Sequence, residues 1–255
     1  MSYSLPVSVD LCKELSALPL FLGVDQSLVH DLVASAHTVP YQKGATFVSI
    51  GDEVLHFTLV LEGWCAAGKG NPEGQEAFLQ LFRRGDFLVE LTPDGLAPLS
   101  SVNIQALTPV RLLSIAPSAI RSVGERAPSF LVNMLTATMR WCQDMRTHIE
   151  QLTLLNAEER VGRFLLHLWL TSGAEGRDVV LPFDKAAMAS YLGIKPETLS
   201  RVFQTFRRHG FIIGRSHLTL PSSEALCSFC DRAARRSCPF VSAGGCEQKE
   251  KEVEK

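Results

Sequence analysis

No stretch of this chain approaches about 18 uninterrupted apolar residues, so neither a membrane-spanning helix nor a membrane partner is expected. The opening, Met1 to Pro6, has no basic region ahead of an apolar run; the sequence offers no secretory signal and reads as cytoplasmic. It contains no P-loop, no Rossmann glycine pattern and no nucleophile–base set, so no catalytic residues are assigned and the chain reads as a non-enzyme. An overall basic excess is also missing, the formal net charge being −2. Bulk charge therefore does not announce a nucleic-acid partner, although such proteins can confine their positive charge to one module. Between residues 156 and 222, nine Lys/Arg face six Asp/Glu, while the remainder of the chain sums to −5. The asymmetry is small and has the sign that phosphate binding needs.

The chain has 255 residues, of which 46% are apolar and 20% charged, enough for a real core and two modest domains. An α+β architecture is expected. Residues 10 to 36 carry Leu11, Leu15, Leu28, Leu32 and Val33 at helical spacing. Short β-rich runs follow, at 45–50, 56–62, 77–82, 102–106 and 110–115, cut by Gly44, Gly51, Gly63, Gly74 and Gly85. That texture predicts a small antiparallel roll or barrel as a first domain, residues 1–127.

Pro128 opens a long helix, 128–155, with Leu131, Leu135, Cys142, Met145, Ile149 and Leu152 at mostly three- and four-residue steps and Thr138 filling one gap. The stripe is narrow and the opposite face polar (Arg140, Asp144, Arg146, Glu150), the pattern of a two-helix seam, so a homodimer is expected. A helix packed on its own domain is the alternative. Cys65 and Cys142, beside Trp64 and Trp141, read as buried thiols.

A third domain spans 156–222. Asn156 and Glu159 have the spacing of a capping box. From Asp184, a first short helix with Ala187, Met188, Tyr191 and Leu192 inside is followed by a turn at Gly193 and a second helix opened by Pro196. Leu199, Val202, Phe203 and Phe206 would bury the second helix, leaving Glu197, Ser200, Arg201 and Arg208 on the other face. Residues at the start of such a helix reach base edges, where Arg forks onto guanine and Glu accepts from the cytosine amino group. Lys195, Thr198 and Ser200 suit phosphate or base contacts. After Gly210, two short strands with Arg215 and Ser216 at their tip read as a wing. An ordinary helical hairpin with a solvated face is the bland alternative.

Residues 15 to 222 resemble the Crp/Fnr superfamily of bacterial regulators, most strongly through Tyr191-Leu-Gly-Ile-Lys-Pro-Glu-Thr-Leu-Ser-Arg201. The resemblance implies a β-roll, a dimer helix and a winged helix-turn-helix on palindromic double-stranded DNA. Glu197, Ser200 and Arg201 have the Glu-x-x-Ser-Arg spacing with which the Fnr-like branch reads a TTGAT-type half-site. RNA polymerase is a further partner open to such a regulator. Members that bind cyclic nucleotides use a Gly-Glu-Leu stretch followed by Arg-Ser. Gly85 to Leu91 match its start, but Val89 replaces the glycine and Leu99 stands where the arginine belongs, which argues against cyclic AMP.

Residues 223–255 form a cysteine-rich tail in which Cys227, Cys230, Cys238 and Cys246 have the spacing C-x2-C-x7-C-x7-C. Without disulfides, such a set can hold an iron–sulfur cluster or a structural zinc, act as a thiol switch, or bind nothing. Cys12 alone precedes the roll, unlike the common cluster-bearing Fnr pattern. Cys227, Cys230 and Cys238 resemble the Bacillus-type Fnr branch, where three cysteines after the DNA-binding domain and a carboxylate of the dimer helix ligate a [4Fe-4S] cluster. That likeness nominates Asp144 as the carboxylate, with Cys246 as the alternative fourth ligand. His148 is a candidate haem ligand. The charge-alternating end, Glu247 to Lys255, reads as a solvated tail.

Overall fold

Alternation along two strands organises the first half of the chain. In Phe57–Glu62, Leu59 and Leu61 point one way and Val60 the other; in Val110–Ile115, Leu113 and Ile115 oppose Val110 and Leu112. One face of the sheet therefore packs on helices and the other fills the interior of a roll. The computed structural model describes residues 9–70, 76–88, 99–171, 176–222 and 225–230. The chain divides into two compact units, Met1–His148 and Ile149–Lys255.

The first unit begins with α1 (Val9–Ser16), a 3-10 turn (Pro19–Phe21) and α2 (Gln26–Ala34). Asp25 caps α2 by accepting from the Ser27 N–H at 2.8 Å. The strands are β1 (His37–Tyr41), β2 (Thr46–Val48), β3 (Phe57–Glu62), β4 (Trp64–Gly70), β5 (Glu76–Arg83), β6 (Phe87–Leu88), β7 (Asn103–Ala106) and β8 (Val110–Ile115). They form two four-stranded antiparallel sheets, β1-β8-β3-β6 and β2-β7-β4-β5. α3 (Pro117–Arg126) and α4 (Pro128–Leu154) follow. Leu15, Phe21, Leu32, Leu59, Leu113, Ile115 and Phe130 fill the core between helices and sheet.

Two elements escape the sequence pattern. β4 reads Trp-Cys-Ala-Ala-Gly-Lys-Gly, with little β-branched or aromatic character, yet it lies between β7 and β5. Its small residues are needed there: the register shifts between Ala67 and Gly68, and a Cβ at 68 would begin 2.6 Å from the Ala77 carbonyl oxygen. α3 escapes it because its apolar positions are few, Val123 being the one large apolar side chain it buries, and its start is marked only by Pro117.

The second unit contains the end of α4, α5 (Ala157–Thr171), β9 (Asp178–Val180), α6 (Lys185–Tyr191), α7 (Pro196–Arg208), β10 (Ile212–Ile213) and β11 (His217–Thr219), with sheet order β10-β11-β9. The capping box forms: Asn156 Oδ1 accepts from the Glu158 and Glu159 amides at 2.9 and 3.0 Å, and Glu159 Oε2 accepts from the Asn156 N–H at 3.0 Å. Val161, Leu165, Trp169, Met188, Phe203, Phe206 and Leu218 make the buried core. A 3-10 turn, Ala225–Phe229, docks on it, with the Phe229 ring 4.1 Å from Phe206 and 5.6 Å from Phe211. Gly162 is what admits this turn, since a Cβ there would collide with the Phe229 carbonyl. Gly162→Ala should therefore destabilise the unit by about 1–3 kcal/mol, the usual cost of overpacking. Urea unfolding checks this; an unchanged midpoint would mean the turn is not held against α5.

Candidate functional site

α7 is built to show one face. Pro196 sits in its first turn, and the preceding Lys195 is extended, as a residue before proline prefers (φ −71°, ψ 148°). Gly193, at φ +61°, makes the turn from α6. Leu199, Val202, Phe203 and Phe206 are buried, and Lys185 Nζ lies 5.2 Å from the Phe203 ring, tying α6 to α7. Lys195, Glu197, Ser200, Arg201 and Arg208 are exposed and Thr198 is half-buried. No side chain caps the N-terminus of α7, so its first amides stay open to a phosphate oxygen. Arg215 is exposed between β10 and β11, in the turn closed by the Gly214 N–H on the His217 carbonyl at 2.9 Å.

One residue at this site was not foreseen. Arg160 donates from Nη2 to Leu152 O (2.9 Å), from Nε to Leu155 O (3.0 Å) and from Nη1 to Leu192 O (3.2 Å). One guanidinium thus binds the end of α4 and the turn that launches α7. Only its place four residues after the Asn156 cap hinted at this, since none of its partners is within a helical turn of its own position on α5.

Along α4, Leu131, Leu135, Cys142, Met145, Ile149 and Leu152 are all exposed on the single chain, with Leu135 at 61% and Ile149 at 57%. Cys142 is therefore not the buried thiol expected from its neighbour Trp141, because the helix turns the two to different surroundings. Cys65 is buried inside the roll, and burial with the nearby Asp86 charge pushes its thiol up to about 12. Asp144 is exposed on α4. Its charge is felt by Asp86, whose carboxyl is raised chiefly by burial and then by Asp144, against the lowering effect of the Arg83 N–H, the Arg83 charge and Arg140. His148 is buried.

The roll encloses a cavity of about 430 Å³ lined by residues of both sheets and by Trp141 and Met145 of α4. Leu99, in place of the nucleotide-binding arginine, is 57% exposed and pairs with Glu53 in an isolated bridge. Val89 and Glu90 lie outside the described residues. Of the tail cysteines, Cys227 and Cys230 are buried at 4% and 2% exposure, with the Cys230 N–H donating to Cys227 O at 3.3 Å. Cys238, Cys246 and the charged end lie outside the described residues. Among the described residues, no cluster of three or more metal-ligating side chains forms, and no helix is long and apolar enough to cross a membrane.

Residues 159–229 match the Crp-like helix-turn-helix domain and residues 38–127 the cyclic nucleotide-binding domain. The nitrogen fixation regulation protein FixK of Bradyrhizobium diazoefficiens is 30% identical over 194 residues, 74% of this chain and 80% of FixK. The chain belongs to the Crp/Fnr family of DNA-binding transcription regulators. Other Crp/Fnr relatives include the CRP-like cAMP-activated global transcriptional regulator of Mycobacterium tuberculosis, 24% identical over 86% of this chain and 96% of that protein. The fumarate and nitrate reduction regulatory protein of Salmonella typhimurium is 25% identical over 73% of this chain and 76% of its own length. FixK2 from Bradyrhizobium japonicum shares the Crp/Fnr fold with a TM-score of 0.68 at 18% identity, over 77% of this chain and 98% of that one.

Within this family member, Arg160→Met should remove the charged hydrogen bonds between α4 and the α6–α7 turn and cost the second unit about 2–3 kcal/mol. The readout is its urea midpoint; a loss below about 0.5 kcal/mol would show that water replaces the guanidinium without penalty.

Proposed function

We propose that this Crp/Fnr regulator is a homodimer that reads a TTGAT-type palindrome with α7. The carrying observation is the exposed face on which Glu197, Ser200, Arg201 and Arg208 fall together, above uncapped amides and a buried aromatic underside. Arg201 and Glu197 read base edges; Lys195, Thr198, Ser200, Arg208 and Arg215 position the backbone. The six exposed apolar positions of α4 form the seam with a second copy, and the half-sites are then about one helical turn, roughly 34 Å, apart. Arg201→Ala should weaken specific binding by about 1–3 kcal/mol with unchanged folding, measured by fluorescence anisotropy on the palindrome and on scrambled DNA. Equal affinity of the variant and the parent for the palindrome would remove α7 as the reader.

We further infer that the tail cysteines hold a redox-sensitive iron–sulfur cluster. In a 3-10 turn, residues three apart eclipse one another, which supports placing Cys227 and Cys230 on one face as a ligand pair. Cys238 would supply a third thiolate, and Cys246 or Asp144 the fourth ligand. When bound, such a cluster supplies sensitivity to oxygen or nitric oxide. A structural zinc would use the same thiols. His148, the haem alternative, is buried on α4. Anaerobic purification should give broad visible absorption, bound iron and sulfide, and bleaching in air, all lost on Cys227→Ser. A colourless, zinc-loaded protein would replace the cluster by a structural site.

A further inference from the structure

The ligand after which the roll's domain family is named does not suit this roll. A cyclic nucleotide brings a phosphate anion, and a partly buried phosphate needs a cation or converging donors. Among the described residues, no Lys or Arg lines the cavity. Leu99 occupies the arginine position and is exposed. Residues 71–75 and 89–98 contain no Lys or Arg, and the second segment carries Glu90 and Asp94. Arg83 and Arg140 act on the Asp86 carboxyl and are not part of the lining.

What the cavity offers instead is mainly aromatic and aliphatic surface, with the uncharged polar side chains of Thr58, Gln80, Ser101 and Ser114 and the His37 ring among its lining. Tyr41 and Phe47 stack at 4.9 Å, and Phe82, Phe87 and Met145 share the lining. Trp141 also lines it, and Trp141 Nε1 is buried with no hydrogen-bond partner among the described residues. A buried donor left unpaired is costly, so this N–H calls for an acceptor. A volume of about 430 Å³ falls in the range of small-molecule pockets.

We propose that the β-roll cavity binds an uncharged, mainly aromatic small molecule whose single hydrogen-bond acceptor takes the Trp141 Nε1–H. Such a ligand replaces the charge-based recognition of a cyclic nucleotide by area burial plus one directional bond. It also touches α4 directly, through Trp141 and through Met145, which belongs to the exposed stripe of that helix. Occupancy therefore bears on how α4 packs. The inference does not depend on the tail cysteines or on the DNA sequence read by α7.

The test uses the full chain and prodan, a neutral naphthalene with one ketone acceptor and environment-sensitive emission. Saturable, blue-shifted binding is expected, undisturbed by a large excess of cyclic AMP. Trp141→Phe, which keeps an aromatic ring and removes the donor, should weaken prodan about 3- to 10-fold, the worth of one net hydrogen bond. In 15N-labelled protein, the indole N–H resonance missing from Trp141→Phe should shift when prodan is added to the parent. This second readout stands even where the variant folds poorly. Absence of saturable binding, displacement of prodan by cyclic AMP, or an indole resonance that does not move would each overturn the proposal. DNA binding is read in a separate assay, so failure there leaves this outcome intact.

Discussion

The second unit depends on one guanidinium. The last carbonyls of a helix have no intrahelical donor, and neither do those of a tight turn. Arg160 satisfies both sets at once, at Leu152 and Leu155 on one side and Leu192 on the other. Leu152 closes the same joint from the apolar side, since a Cβ at Gly193 would lie 2.9 Å from its Cδ2. The end of α4 and the turn between α6 and α7 are thus joined both by hydrogen bonds and by packing.

The roll works by a different constraint, the two-sidedness of its strands. β3 and β8 bury apolar residues on both faces, so the sheet separates a helical core from the roll interior. The interior is only partly filled, and Trp141 and Met145 from α4 border the space that remains. The helix that borders this cavity therefore also carries the exposed apolar stripe. Cys65 shows how dry the interior is, its thiol being held neutral far above ordinary pH by burial. Because the unfolded thiol ionises near 9.0 and the folded one near 12, this group withdraws stability only as pH rises above 9.

The start of the cysteine-rich segment is part of the folded DNA-binding unit. Phe229 lies between Phe206 of α7 and Phe211, over the glycine of α5 that leaves room for it. Cys227 and Cys230 therefore lie two residues and one residue, respectively, from a ring packed on α7.

Much of this was legible in the residues. The period of Leu199, Val202, Phe203 and Phe206, the Asn156 and Asp184 caps, Gly193 and Pro196 are local signals, so α7 and its two faces followed from sequence alone. The strands of the roll were partly legible, and β4 was not, because its small residues answer to a bulge and to neighbours rather than to intrinsic preference. Cys142 looked buried beside Trp141, but successive residues of a helix point about 100° apart, and Cys142 faces outward. Sequence by itself determined the helix caps, the turn at Gly193 and the buried and exposed faces of α7, since each is written within a few consecutive residues. Only the tertiary structure decided which carbonyls Arg160 binds, that Trp141 lends an unpaired donor to the roll, and that Phe229 seats the tail. Those features depend on how separate elements meet in space, about which periodicity carries no information.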